Sequence, residues 1–159
     1  MHLHDATRSV ALPHDDAGLR AAVSAARRSH DEGGIPIGAA LLDADGVVLG
    51  DGHNQRVQRK SMLRHAEIDC LEEVGRRSTF AGTTLYSTLM PCYMCAGAVI
   101  QFGIPRVVVG ESRTFRGARD LLVRHGVELI DVDDPVCVSL LGAFVAAHPA
   151  VWSEDTGSG

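Results

Sequence analysis

The sequence predicts an α/β protein, a three-layer α/β/α sandwich built on a mixed five-stranded sheet. Three observations predict it. Helical and strand-like patterns alternate along most of the chain, two early strands are separated only by a tight turn, and helices precede the fourth and fifth strands. A hairpin is antiparallel, whereas strands joined through a helix favour parallel pairing, so the sheet is mixed.

Residues 16–34, DAGLRAAVSAARRSHDEGG, carry apolar side chains at helical spacing and end in a glycine pair that stops a helix. Residues 37–52, IGAALLDADGVVLGDG, read as two strands around the turn DADG. HAEIDCLEEVGRR at 65–77 reads as a helix, TTLYSTL at 83–89 as a strand and CYMCAGAVIQFG at 92–103 as a helix. RVVVGE at 106–111 is short and apolar, as a buried strand is. A helix at 118–126, a strand at 127–132 and a helix at 135–148 follow, and PAVWSEDTG reads as a short helix with an exposed aromatic. No repeat or linker divides the 159 residues, a length that suits one domain with its own core. The ends lack apolar periodicity. Residues 1–14 are therefore expected to be a flexible segment and 15–159 one domain.

The formal net charge is −5, and the basic pairs at 27–28, 59–60 and 76–77 are small. Nucleic-acid binders carry a basic patch and a high pI, so no nucleic-acid partner is expected. No apolar run approaches the roughly 18 residues that would suggest a bilayer span. The first residues have no apolar core of a secretory signal. The expectation is a soluble, cytoplasmic protein with no membrane partner.

Of four cysteines, Cys70 and Cys137 sit among apolar neighbours and read as buried thiols. Cys92 and Cys95 are three apart, directly after Pro91. On a helix this spacing puts both sulfurs on one face, Pro91 suits the first helical position, and the helix N-terminus favours thiolates. Alone, such a pair is a redox couple or half of a four-ligand zinc site. His65 and Glu67 decide between these readings. Two apart at the start of the preceding helix, they point in different directions, so His65 can bind a metal while Glu67 leans over an open coordination position. One His and two Cys leave one tetrahedral position for water, and two thiolates offset the charge of Zn²⁺, so a nearby carboxylate is needed to move the water's proton. A closed structural site would need a fourth ligand, and neither His53 nor Cys70 pairs with His65 at a usual finger spacing.

Together HAE and PCYMC match the H-x-E…P-C-x-x-C signature of zinc nucleobase deaminases. The chain resembles the cytidine-deaminase-like superfamily, and within it the fungal-type cytosine deaminases, through EGGIPIGAALLDADGVVLGDGHNQR, HAEI, LYSTLMPCYMCAGAVIQFGIPRVVVGE, DLLVRHGVELIDVDD and WSED. The resemblance implies one zinc per chain on His65, Cys92 and Cys95, with Glu67 as the proton shuttle. It also implies a pocket for one flat ring. Asn54 and the Ala66 N–H would meet the ring's amide-like edge. The Met90 carbonyl and Asp155 would lie near the departing amine. Phe115 and Trp152 would flank the ring, with Ile35 beneath. Ala66, Met90 and Ser153 depart from the family's usual residues. The implied reaction is hydrolysis of cytosine to uracil and ammonia, in a homodimer. The alternatives are the same chemistry on guanine, a triazine, isocytosine or a nucleoside. A tRNA-adenosine deaminase or a structural-zinc protein is further off.

Overall fold

The computed structural model describes residues 11–157. Most of the expected flexible segment, 1–10, lies outside the described residues, as do residues 158–159. Residues 11–14 lead into the first helix through a turn in which the Asp15 N–H donates to the Leu12 carbonyl at 3.1 Å. The order is α1 (Asp15–Asp31), β1 (Gly38–Leu42), β2 (Val48–His53), α2 (Arg56–Arg59), α3 (Ala66–Val74), β3 (Thr84–Leu89), α4 (Tyr93–Phe102), β4 (Arg106–Glu111), α5 (Arg119–Arg124), β5 (Glu128–Asp131), α6 (Pro135–Ala147) and α7 (Pro149–Thr156).

The strands form one sheet in the order β2-β1-β3-β4-β5. β1 pairs antiparallel with β2 and β3, whereas β3–β4 and β4–β5 are parallel. This is the mixed sheet expected from the hairpin and the later crossovers. Successive β1 residues point to opposite faces. Ala40 and Leu42 join Leu19 and Ala22 of α1, Tyr86 and Cys137. Ala39 and Leu41 join Cys70 of α3, Val99 of α4 and Leu122 of α5. Helices thus cover both faces, and all six residues of β3 and of β4 are buried.

Small residues let the layers approach closely enough to shape the site. A Cβ on Gly52 would lie 2.3 Å from the Cys70 backbone nitrogen, so α3 rides directly on the end of β2. Open α/β sheets bind ligands beyond the carboxyl ends of their parallel strands. Here the loops after β3 and β4 meet the N-termini of α3 and α4 at that edge.

Two helix starts differ by a residue or two from the sequence pattern. His65 and Cys92 are the N-cap residues of α3 and α4, both in extended conformation, and Pro91 precedes its helix rather than opening it. The helix α2 was not legible, because QRVQRK has no apolar periodicity. The aromatic of α7 is also not exposed: Trp152 is half-buried against the core. Among the described residues, no single helix is long and apolar enough to cross a membrane, and α6 and α7 meet at a 110° bend.

Candidate active site

α3 and α4 start side by side, and their N-termini bring His65, Cys92 and Cys95 together. The candidate ligand atoms of the three lie within 4.8 Å of one another. The Cys92 and Cys95 sulfurs are 3.4 Å and 3.8 Å from His65 Nδ1. Ligand atoms on a tetrahedral zinc with ordinary Zn–S and Zn–N bonds lie about 3.6 Å apart. The three residues therefore fit a zinc ion without rearrangement. No fourth His, Cys, Asp or Glu joins the group among the described residues. His53, the candidate fourth ligand, is turned to the Asn54 carbonyl and Glu32 instead. Cys70 is buried and its sulfur faces the Gly50 carbonyl at 3.5 Å. An open tetrahedral position is the arrangement of catalytic rather than structural zinc.

The other ring nitrogen of the histidine is also held. His65 Nε2 lies 3.3 Å from Asp155 Oδ1, which leaves Nδ1 directed at the two sulfurs. A carboxylate behind a metal-binding histidine fixes its ring and tautomer. The same oxygen of Asp155 accepts from Arg56 Nε at 2.5 Å.

These groups shift one another strongly. Burial opposes charge on His65, but Asp155 and then Cys92 outweigh it and lift its pKa to about 10. The Cys95 thiol, with His65, holds Cys92 down at about 4 against burial. Cys95 is pushed up by the Cys92 sulfur and by burial. The pair thus loses one proton readily and keeps the other. Cys92 and Cys95 would hold a divalent cation as two thiolates, the cation's charge standing in for the second proton. Burial pushes the Glu67 carboxyl up, with His65 opposing. For Asp155 burial acts upward, but His65 and Arg56 prevail and hold the carboxyl below its ordinary range.

A cavity of about 360 Å³ opens beside the cluster. Its wall includes Asn54, His65, Ala66, Glu67, Met90, Cys92, Phe115, Trp152 and Asp155. Asn54 is buried, and its Oδ1 accepts the Arg56 backbone N–H at 2.9 Å. That bond fixes the amide's orientation and leaves Nδ2 buried with no hydrogen-bond partner among the described residues. A buried donor without a partner is costly, and a wall position lets a ligand satisfy it. Phe115 and Trp152 meet edge to face at 6.2 Å between centroids and 89° between planes, forming an aromatic corner. Gly117, at φ +63°, holds the Phe115 loop against Met90 and Pro91, where a Cβ would lie 2.5 Å from Met90 Cγ.

Ile35 is the exception among the expected pocket residues. It is fully buried in the core, and Ile37 lines the cavity instead. The chain makes a tight turn here, with the Ile37 N–H donating to the Ile35 carbonyl at 2.8 Å, and the two side chains part. Sequence reasoning also missed Arg56. Its only local context is the short polar run of α2, while its partner Asp155 is 99 residues away.

Known proteins share this architecture. Residues 13–111 match the family described as the cytidine and deoxycytidylate deaminase zinc-binding region. A cytosine deaminase of Candida albicans is 43% identical over 145 residues, covering 90% of this chain and 97% of that protein. A tRNA-specific adenosine deaminase of Bacillus subtilis is 30% identical, covering 84% and 89%. A solved guanine deaminase from Nitrosomonas europaea shares the fold, with a TM-score of 0.70 and 24% identity over 87% of both chains. With a family match across more than half of the chain and a relative matched along nearly its whole length, this protein belongs to the cytidine and deoxycytidylate deaminase family.

Proposed function

We propose that the protein deaminates a free pyrimidine base, converting cytosine and water to uracil and ammonia, with one zinc per chain held by His65, Cys92 and Cys95. The observation that carries this reading is Asn54, whose buried Nδ2 has no partner among the described residues, in a cavity wall shared with Glu67 and an aromatic corner. A flat ring with a carbonyl edge satisfies that donor and packs against Phe115 and Trp152. The near full-length similarity to a cytosine deaminase supports the choice of ring.

Zinc, when bound, supplies the Lewis acidity that brings a water's pKa towards neutrality. The remaining steps belong to the chain. Glu67, buried and poorly solvated, accepts the water's proton. It delivers that proton to the ring nitrogen beside the amine-bearing carbon. As the water's oxygen bonds that carbon, Glu67 takes the oxygen's remaining proton and gives it to the amine, which departs as ammonia when the C–N bond breaks. Asn54 Nδ2 and the Ala66 N–H, at the first turn of α3, hold the carbonyl edge. That N–H has no intrahelical partner. The Met90 carbonyl and Asp155 face the amine, and Ile37 takes the place expected of Ile35.

The tRNA-specific relatives offer a second substrate class. The net charge of −5 disfavours it, since phosphate contacts dominate nucleic-acid affinity. We also read the protein as a homodimer. Met62 and Tyr93 line the cavity yet are 73% and 74% exposed, so a second copy at that wall would seal it. Sedimentation velocity on the wild type and on Tyr93→Glu checks this, with Tyr93→Glu expected to sediment as a monomer. All four cysteines are free, which suits the reducing cytoplasm, and a cytosine-to-uracil reaction would place the enzyme in reuse of pyrimidine bases.

The test is ammonia release over a panel of bases and nucleosides, run beside metal analysis. Cytosine should have the highest kcat/KM, with about one zinc per chain. Cytidine outrunning cytosine would break the single-ring reading, and guanine or a triazine outrunning it would reassign the ring.

A further inference from the structure

We propose that Arg56 is a positioning residue that latches α7 over the cavity and couples that closure to the residue that reads the base; the proposal rests on the deaminase reading above. Arg56 is the only Arg or Lys in the cavity wall among the described residues, and its side chain is 10% exposed. A cation in such a place usually recruits an anionic substrate group. This one is already committed. Its Nε donates to Asp155 Oδ1 at 2.5 Å and its Nη1 lies 3.6 Å from Glu154 Oε2. Two carboxylates therefore balance the guanidinium, and a substrate phosphate would have to displace them. The site suits an uncharged ring.

Both carboxylates belong to α7, the helix that carries Trp152. No residue of α7 is fully buried. It leans on the core through the half-buried Val151 and Trp152. A helix with so little buried surface opens locally at low cost unless polar ties hold it. The Arg56 contacts span 99 and 98 residues of sequence and supply such ties. At its other end, Arg56 donates its backbone N–H to Asn54 Oδ1 and so fixes the amide of a residue in the cavity wall. One residue thus sets both the lid and the amide that meets the substrate. Asp155, pinned by Arg56 through Oδ1, in turn faces His65 Nε2. Arg56 stands outside the group of His65, Cys92 and Cys95 and acts through Asp155 and Asn54.

The chain contains a single tryptophan, Trp152, so its fluorescence reports α7 directly and without turnover. The experiment compares zinc-loaded wild type, Arg56→Met and Arg56→Lys by acrylamide quenching, zinc content and cytosine kinetics. Arg56→Met should raise the quenching constant at least about twofold and keep its zinc. Where the closed population falls to about a tenth, KM rises about tenfold. Arg56→Lys keeps the charge but lacks the fork that spans two carboxylates, so it should fall between the two. It also carries the test if Arg56→Met does not fold. Unchanged quenching in both variants overturns the latch, and so does a quenching change accompanied by zinc loss. Wild type that turns over no cytosine, with quenching raised as expected, overturns the function and leaves the latch standing.

Discussion

Two buried charge clusters sit at opposite ends of β4, and they are built on opposite plans. At its start, Arg106 donates through Nη1 and Nη2 to the two oxygens of Asp15, both at 2.7 Å. The Tyr86 hydroxyl and the Leu12 N–H donate to the same carboxylate at 2.7 Å and 2.8 Å. Every oxygen of Asp15 is answered within the chain. Beyond the other end of β4 lie two neighbouring sulfurs, a buried carboxylate at Glu67 and an amide nitrogen at Asn54 with no partner among the described residues. A buried network that is fully satisfied rigidifies a fold. One left open at chosen atoms holds binding capacity for a metal and a ligand. The difference separates scaffold from site without reference to any relative.

The largest effect that sharpens this comparison is at Glu67. Glu67→Ala should lower kcat by about 10²–10⁴ while retaining about one zinc per chain, because a proton shuttle is lost and a ligand is not. Metal analysis beside steady-state kinetics decides it, and zinc loss in a folded variant would make Glu67 a ligand. Next is Asn54→Ala. Removing the donor that the ring satisfies should cost about 10- to 100-fold in kcat/KM for cytosine, with zinc unchanged. Equal activity would show that the open amide is not part of the ring's reception.

At the closed end the expected loss is of stability, not chemistry. Asp15→Asn breaks a buried pair and should destabilise by about 3 kcal/mol in urea melts, with kcat of the folded enzyme unaffected. A sign follows for pH. Burial opposes ionisation of Asp15, but Arg106 and Tyr86 hold its pKa at about 2, below the ordinary 3.8. A group depressed on folding stabilises fully above its unfolded value. The gap between wild type and Asp15→Asn should therefore be complete at pH 5 and shrink as pH falls from 3.8 towards 2. A gap that stays constant through that range would mean the Asp15 charge contributes nothing.

Most strands and helices were legible in the sequence because apolar periodicity is a local property. β4 matches its run RVVVGE residue for residue, and α6 and α7 differ from their patterns only at the ends. The metal group was legible for a related reason. Residues two or three apart at helix starts have nearly fixed relative geometry, so HAE and PCYMC specify a His and two Cys before any fold is known. The signature also specified the fourth position as open. What lay beyond local chemistry was which distant groups would answer one another. Ile35 and Ile37 are two apart and chemically alike, and only the turn between them decided which faces the cavity. Arg56 sits in a polar run with no pattern, and its meaning comes from Asp155, which only the closing of α7 brings to it. Asn54 carried a turn residue's identity in the sequence. Its nitrogen has no partner among the described residues, because the Arg56 backbone fixes the amide through its oxygen and packing brings no acceptor to Nδ2. Periodicity and ligand spacing are fixed by bonds along the chain, whereas the partner of a buried polar group is fixed by packing across it.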